Sequence, residues 1–135
     1  MTKKYEITEI NPYKDIRGEL KKVFIKSMLS AEKSIEEIYV LHTKKGSVRG
    51  NHYHRQNVEF FTVIKGTAII ALKDVEEGEA EILKVSAVDD IVIKVPENVA
   101  HGFRNDEDEE LVILAAASKL YDLEDTDTFN YQLLY

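Results

Sequence analysis

Six short apolar runs separated by turn residues constrain this chain more than any other feature of it. They cover Glu37 to Thr43, Val58 to Ile64, Thr67 to Leu72, Ala80 to Val85, Asp90 to Val95 and Leu111 to Ala117, and the gaps hold Lys-Lys-Gly, Lys-Gly, Glu-Glu-Gly and Pro-Glu-Asn. Val, Ile, Phe and Tyr are frequent in the runs, a composition that suits half-buried or buried strands. Helical periodicity is weak, with a turn or two expected only over Ser27 to Ile35. No run is followed by a crossover helix, so the pattern predicts an all-β barrel or sandwich and argues against a βαβ sheet. At 135 residues, 44% hydrophobic and free of repeats or linkers, the chain reads as one domain, 1–135, with enough apolar content for a real core.

The absence of cysteine excludes disulfides, thiolate nucleophiles and sulfur-ligated metals, and points to a reducing cytoplasm. The N-terminus runs into charge instead of an apolar segment, and no stretch approaches the roughly 18 apolar residues of a membrane span. Net charge is −7, with acidic runs at Glu76 to Glu81 and Asp106 to Glu110, which repels a nucleic-acid backbone. Of the 18 basic residues only four are arginine, and three of those, Arg49, Arg55 and Arg104, lie within three residues of a histidine with ligand potential. Arginine clamps phosphate through parallel hydrogen bonds, so a small anionic ligand is expected despite the acidic surface.

His52, His54, Glu59 and His101 carry the chemistry. Each offers a nitrogen or oxygen suited to a divalent ion. On a strand His52 and His54 share a face while Asn51 and Tyr53 point the other way. In the next run Glu59, Phe61 and Val63 share one face, and Phe60, Thr62 and Ile64 the other, so both faces are apolar beyond Glu59, as where one side lines an interior and the other meets a second layer. A glutamate at the mouth of that interior needs a metal or a histidine as partner.

The spacing closely resembles the cupin superfamily. Gly46, His52, His54, Glu59 and Gly66 meet the first cupin motif in full; Asp90, Pro96, Asn98, His101 and Asn105 meet the second, with Asp90 and Asn98 in place of glycines. The resemblance implies a double-stranded β-helix, or jelly roll, with a metal inside one end. A narrower resemblance rests on Arg49-Gly50-Asn51-His52-Tyr53-His54, Asp15-Ile-Arg17-Gly18, Tyr121-Asp122 and Asp127-Thr128. It is to the cupin domain of capsular-polysaccharide epimerases and to the nucleotide-sugar 3,4-ketoisomerases, and more distantly to the deoxysugar 3,5-epimerases. Glu59 favours the metal-holding capsular type.

These resemblances imply an isomerase acting on a nucleotide-diphosphate sugar with a 4-keto group, by C3 epimerisation or ketone migration through an enediolate. His52, His54, Glu59 and His101 would hold a divalent metal, Zn²⁺ or a similar ion, with no organic cofactor. Were all three histidines ligands, Tyr39, Tyr53 or an acidic residue would serve as base; without metal, His52 leads as base, with His54 or His101 donating to the oxyanion. Arg49 and Arg17 would hold the pyrophosphate, Arg55 and Arg104 would assist, and Tyr131 would stack on the nucleotide base. Two other classes fit the same residues: a metal-dependent cupin on another small molecule, such as a dioxygenase or small-sugar isomerase, and a non-catalytic sugar-binding module. Cupin relatives pair through an N-terminal strand, so Lys3 to Ile10 and the tail Phe129 to Tyr135 are expected to help form a homodimer. His42 reads as surface, Arg17-Gly18 as a hairpin turn and Asp106 to Glu110 as a solvated loop.

Overall fold

The computed structural model describes residues 4–135; Lys3, at the start of the expected pairing strand, lies outside the described residues. Two five-stranded antiparallel sheets face each other. The first runs β1 (Glu6–Glu9), β9 (Ile91–Val95), β6 (Glu59–Lys65), β11 (Leu111–Ala117), β4 (Glu37–Thr43). The second runs β12 (Phe129–Asn130), β5 (Val48–Tyr53), β10 (Val99–Arg104), β7 (Thr67–Asp74), β8 (Glu81–Ser86). A small hairpin, β2 (Tyr13–Asp15) and β3 (Gly18–Leu20), stands apart, and Arg17 sits in its turn. This is the cupin jelly roll, with neighbours in each sheet distant in sequence. The N-terminal strand β1 pairs with β9 of its own chain.

Alternation decides which residues fill the interior. Phe61 and Val63 of β6, Ile93 and Val95 of β9, Ile70 and Leu72 of β7, Phe103 of β10 and Ile113 of β11 form one buried cluster between the sheets. Phe60, the outward neighbour of Phe61, is equally buried because a second cluster covers the outer face of the first sheet. Ile10, Val58, Val92 and Ala116 pack there under Val23, Phe24, Met28 and Leu29. Both faces of β6 are therefore apolar, as expected. The helical turn expected over Ser27 to Ile35 is a single 3₁₀ turn, Lys26–Met28. Its role is to lay Met28 and Leu29 onto the outer cluster.

The turns explain how the two non-glycine motif positions survive. Asp90 and Asn98 adopt left-handed backbone, φ 52° and 63°, a region that Asn and Asp reach more readily than other side chains. Asp90 is also ion-paired with Lys21. Asn98 donates its amide to the His54 carbonyl at 2.7 Å, tying the second motif to the first. Asn105, fully buried, donates to the carbonyls of Thr43 and Glu109 and accepts from the Glu107 amide, fixing the loops at the far end.

Gly50 brings β5 against β10. Its φ is +85°, and a Cβ there would lie 2.8 Å from the His101 carbonyl oxygen and 3.2 Å from the Gly102 Cα. Gly78 has a similar φ, +77°, with nothing within 4 Å. Gly78→Ala is expected to cost about 1 kcal/mol, the left-handed strain alone, whereas Gly50→Ala adds a backbone collision and is expected to cost roughly 3 kcal/mol. Urea denaturation of the two variants checks the difference; equal losses would mean that β5 can move off β10 without penalty.

Candidate functional site

Register brings the histidines together. His52 on β5 and His101 on β10 are directly opposed partners, and their rings stand 4.8 Å apart between centroids. Beside them the ladder slips: Gly50 pairs with Gly102, so Asn51 is an extra residue in β5. Asn51 takes left-handed backbone, φ 57°, and its side chain turns outward, accepting from the Leu133 and Leu134 amides and donating to the Leu134 carbonyl. This bulge anchors the C-terminal tail while presenting His52 to the interior, as bulges beside functional sites commonly do. His54 follows the strand end, and Glu59 opens β6 on the opposing sheet.

The four ligand atoms of His52, His54, Glu59 and His101 all lie within 4.8 Å of one another. Glu59 Oε1 is 2.7 Å from His54 Nε2 and 3.4 Å from His101 Nε2, and the Tyr39 hydroxyl donates to Glu59 Oε2. His54 Nδ1 donates to the Asp127 carbonyl at 2.7 Å. His101 and Glu59 are 1% and 4% exposed, and Phe61 packs its ring 5.3 Å from that of His101 as an apolar floor.

Charge is distributed unevenly over the cluster. Burial works against the Glu59 carboxylate, but hydrogen bonds and positive charge from His101 and His54 more than offset it, holding the acid well below the usual range. Burial also opposes charge on His54, yet the Glu59 hydrogen bond and charge leave its pKa raised. His52 has no such partner: burial, then the neighbouring imidazoles, push it down to about 4. The Tyr39 phenol is pushed up, first by burial and then by Glu59.

A cavity of about 440 Å³ opens above the cluster, lined by Tyr39, His52, His54 and Glu59 on one side and by Lys119, Leu120, Tyr121, Thr126, Asp127 and Thr128 on the other. The structure thus gathers Tyr39 with all four expected ligands. It places the expected phosphate-binding residues elsewhere in this chain. Arg49 spans the seam to β4, donating to the His42 carbonyl at 3.0 Å and Thr43 Oγ1 at 3.2 Å. Arg17 bonds Asp15 in the hairpin, Arg104 bonds Asp106, and Arg55 lies 4.1 Å over the Phe129 ring, just outside the cavity. Tyr131 packs edge-on to Tyr53. The strap from Ser118 to Thr128 is the feature that alternation could not find. Only the pairs Tyr121-Asp122 and Asp127-Thr128 signalled it.

The profile of the polysaccharide biosynthesis C-terminal domain family matches residues 13–129. The chain is 29% identical over 128 residues to a probable low-salt glycan biosynthesis epimerase, Agl13, of Haloferax volcanii, covering 90% of this chain and 82% of that protein. The capsular polysaccharide assembling protein CapF of Staphylococcus aureus superposes with a TM-score of 0.70 at 25% identity over 92% of this chain. This chain spans only 34% of CapF, about a third of its length. The fold is also that of QdtA, a sugar 3,4-ketoisomerase from Thermoanaerobacterium thermosaccharolyticum in complex with TDP, at a TM-score of 0.79 and 21% identity, covering 96% of this chain and 89% of that one.

The depressed His52 makes a pH prediction for protein stripped of metal. Between about pH 6.5 and 4 the unfolded chain binds a proton at His52 that the folded chain resists, so stability falls as pH falls through this window. His54, with its pKa raised, acts in the opposite sense only at the top of the window, its stabilisation being fully present below about pH 6.5, and Glu59, held below the usual carboxylate range, adds to the loss as pH falls toward 4. Thermal unfolding is expected to weaken steadily across the window, by up to about 3 kcal/mol. His52→Gln should reduce that slope most above about pH 5, where carboxylates contribute least; an unchanged slope there would assign it to other groups.

Proposed function

The chain belongs to the polysaccharide biosynthesis C-terminal domain family, and on that premise we propose that it is an isomerase acting on a nucleotide-activated 4-keto sugar in surface-polysaccharide or glycan synthesis. The observation that carries the reading is the convergence of three imidazoles and one carboxylate at the floor of a cavity large enough for a hexose ring. Agl13, named as an epimerase, supports it over most of its length.

The residues fit a divalent ion. Three nitrogens and one oxygen suit Zn²⁺, and hydrogen bonds to His54 Nδ1 and Glu59 Oε2 fix two of the ligands from behind. A bound ion would act as a Lewis acid toward the sugar oxygens. The protein's own groups do the rest. A ketone at C4 acidifies the C3 proton, and the neutral His52, facing the cavity, can accept it when it is not coordinated. His54, two residues away and biased toward its charged form by Glu59, can share its Nε2–H between that carboxylate and the enolate oxygen. Tyr39 keeps its proton and lends it to Glu59, holding the carboxylate in place. Phe61 below and the strap above limit access of water. Protonation of C3 from its opposite face by a second donor gives epimerisation; protonation of O4, loss of the C3 hydroxyl proton and delivery of the abstracted proton to C4 move the ketone.

Lys119 is the one lysine or arginine among the described residues that line the cavity, so it takes the first contact with the diphosphate, with Arg55 the nearest expected arginine. Residues 1–135 act as one unit in the cytoplasm. The exposed outer face of edge strand β4, with Ile38 and Val40 61% and 47% exposed, supports a homodimer.

Incubation with dTDP- and UDP-linked 4-keto sugars in deuterated water, followed by NMR, is expected to show deuterium entering at C3. His52→Asn should reduce that exchange by about a thousandfold or more while leaving thermal unfolding near that of the parent. Chelation separates the two roles of His52: activity that survives metal removal makes it the base, and activity lost and restored by Zn²⁺ makes it a ligand. No exchange with any of these sugars would overturn the proposal.

A further inference from the structure

We propose that Asp127 is a positioning residue for the histidine cluster: its carboxylate fastens the strap to the segment after β5, so that its main-chain carbonyl fixes the His54 ring. The inference rests on the reading of His54 as a working member of the site.

Asp127 lies 73 positions from His54 in sequence, yet it is 6% exposed and bonded to every residue that follows that histidine up to Asn57. Oδ1 accepts from the Arg55 amide at 2.9 Å, and Oδ2 accepts from the Gln56 and Asn57 amides at 3.0 and 2.9 Å. Three consecutive amides on one carboxylate leave little freedom for the strap to slide. Its backbone is left-handed, φ 47°, which turns the carbonyl back toward His54 Nδ1. The other end of the strap is pinned to the same segment: the Ser118 amide donates to the Val58 carbonyl and Asn57 Oδ1, and Ser118 Oγ accepts from the Val58 amide at 2.8 Å. Gripped at both ends, residues 55–58 and the strap form one rigid frame.

The consequence for the ring is specific. With Nδ1–H committed to the Asp127 carbonyl, Nε2 is the atom aimed at Glu59 and the cavity. A ring flip would place a carbon against that carbonyl and lose both contacts. Outer hydrogen-bond partners of this kind set ring orientation and raise ligand quality. Asp127 touches no reacting atom in this account.

Metal-stripped full-length protein, labelled with ¹⁵N in histidine, tests this directly. A His54 Nδ1–H proton protected from solvent exchange is expected in the parent and lost in Asp127→Ala. Zn²⁺ affinity, measured by competition titration, should weaken about 10- to 100-fold in that variant. Asp127→Asn keeps the left-handed preference and one acceptor, and should recover part of both signals. A merely structural role would lower the unfolding temperature while leaving the protected proton and the affinity intact, and that result would overturn the proposal. Failure of the parent to bind Zn²⁺ would count against the metal in the preceding reading, and the protected proton would still decide the role of Asp127. Were Asp127→Ala unfolded, Asp127→Asn with parental proton protection and affinity would overturn it.

Discussion

A carboxylate held inside a β-barrel is the constraint around which this molecule is arranged. Glu59 opens a strand whose other buried residues are Phe, Thr and Val, and is itself almost wholly buried. An uncompensated charge there would cost several kcal/mol. The compensation comes from three different parts of the fold: His54 beyond the end of β5, His101 in β10 and Tyr39 in β4. Backbone features help to place the two histidines, including the Gly50 approach, the Asn51 bulge and the left-handed turn at Asn98. The interior end of the barrel is therefore a set of mutually dependent polar groups on an apolar floor. Removing Glu59 takes a partner from His54, His101 and Tyr39 together.

Much of this was legible in the sequence because strand periodicity is short and rigid. Leu111 to Ala117 and Glu37 to Thr43 form the expected strands to the residue, and the two-sided burial of β6 follows from counting parity at Phe60 and Phe61. The grouping of His52, His54, Glu59 and His101 followed from strand parity together with the resemblance to the two cupin motifs. Asp90 and Asn98 were readable as glycine substitutes because their side chains tolerate positive φ.

The rest depended on geometry that no local rule encodes. A bulge inserts one residue, and the sequence around Asn51 contains nothing that fixes where the ladder slips. The arginines were grouped with the site by nearness in sequence, but strand direction carries Arg49 and Arg104 away from the ligand end, where Thr43 and Asp106 engage them. Lys119 was hidden in a segment without periodicity. Asp127 was visible only as part of a resemblance, because an aspartate in a polar loop has the same composition whether it faces water or gathers three amides.

One carboxylate among three imidazoles also divides their chemistry. Glu59 engages His54 through the shorter contact and His101 through the longer one. An imidazolium at His52 in the same low-dielectric space would face its neighbours' charge with no hydrogen bond to the carboxylate to oppose it. His52, without a hydrogen bond to the carboxylate, is the group that loses its proton, and it is also the more accessible to the cavity. The arrangement thus favours the neutral form of one imidazole and the charged form of another within two residues of chain, through environment and not through residue type. That pairing of base and acid is what proton transfer between adjacent sugar carbons requires. A divalent ion would replace the same positive charge beside Glu59, so both uses of the cluster draw on a single electrostatic balance.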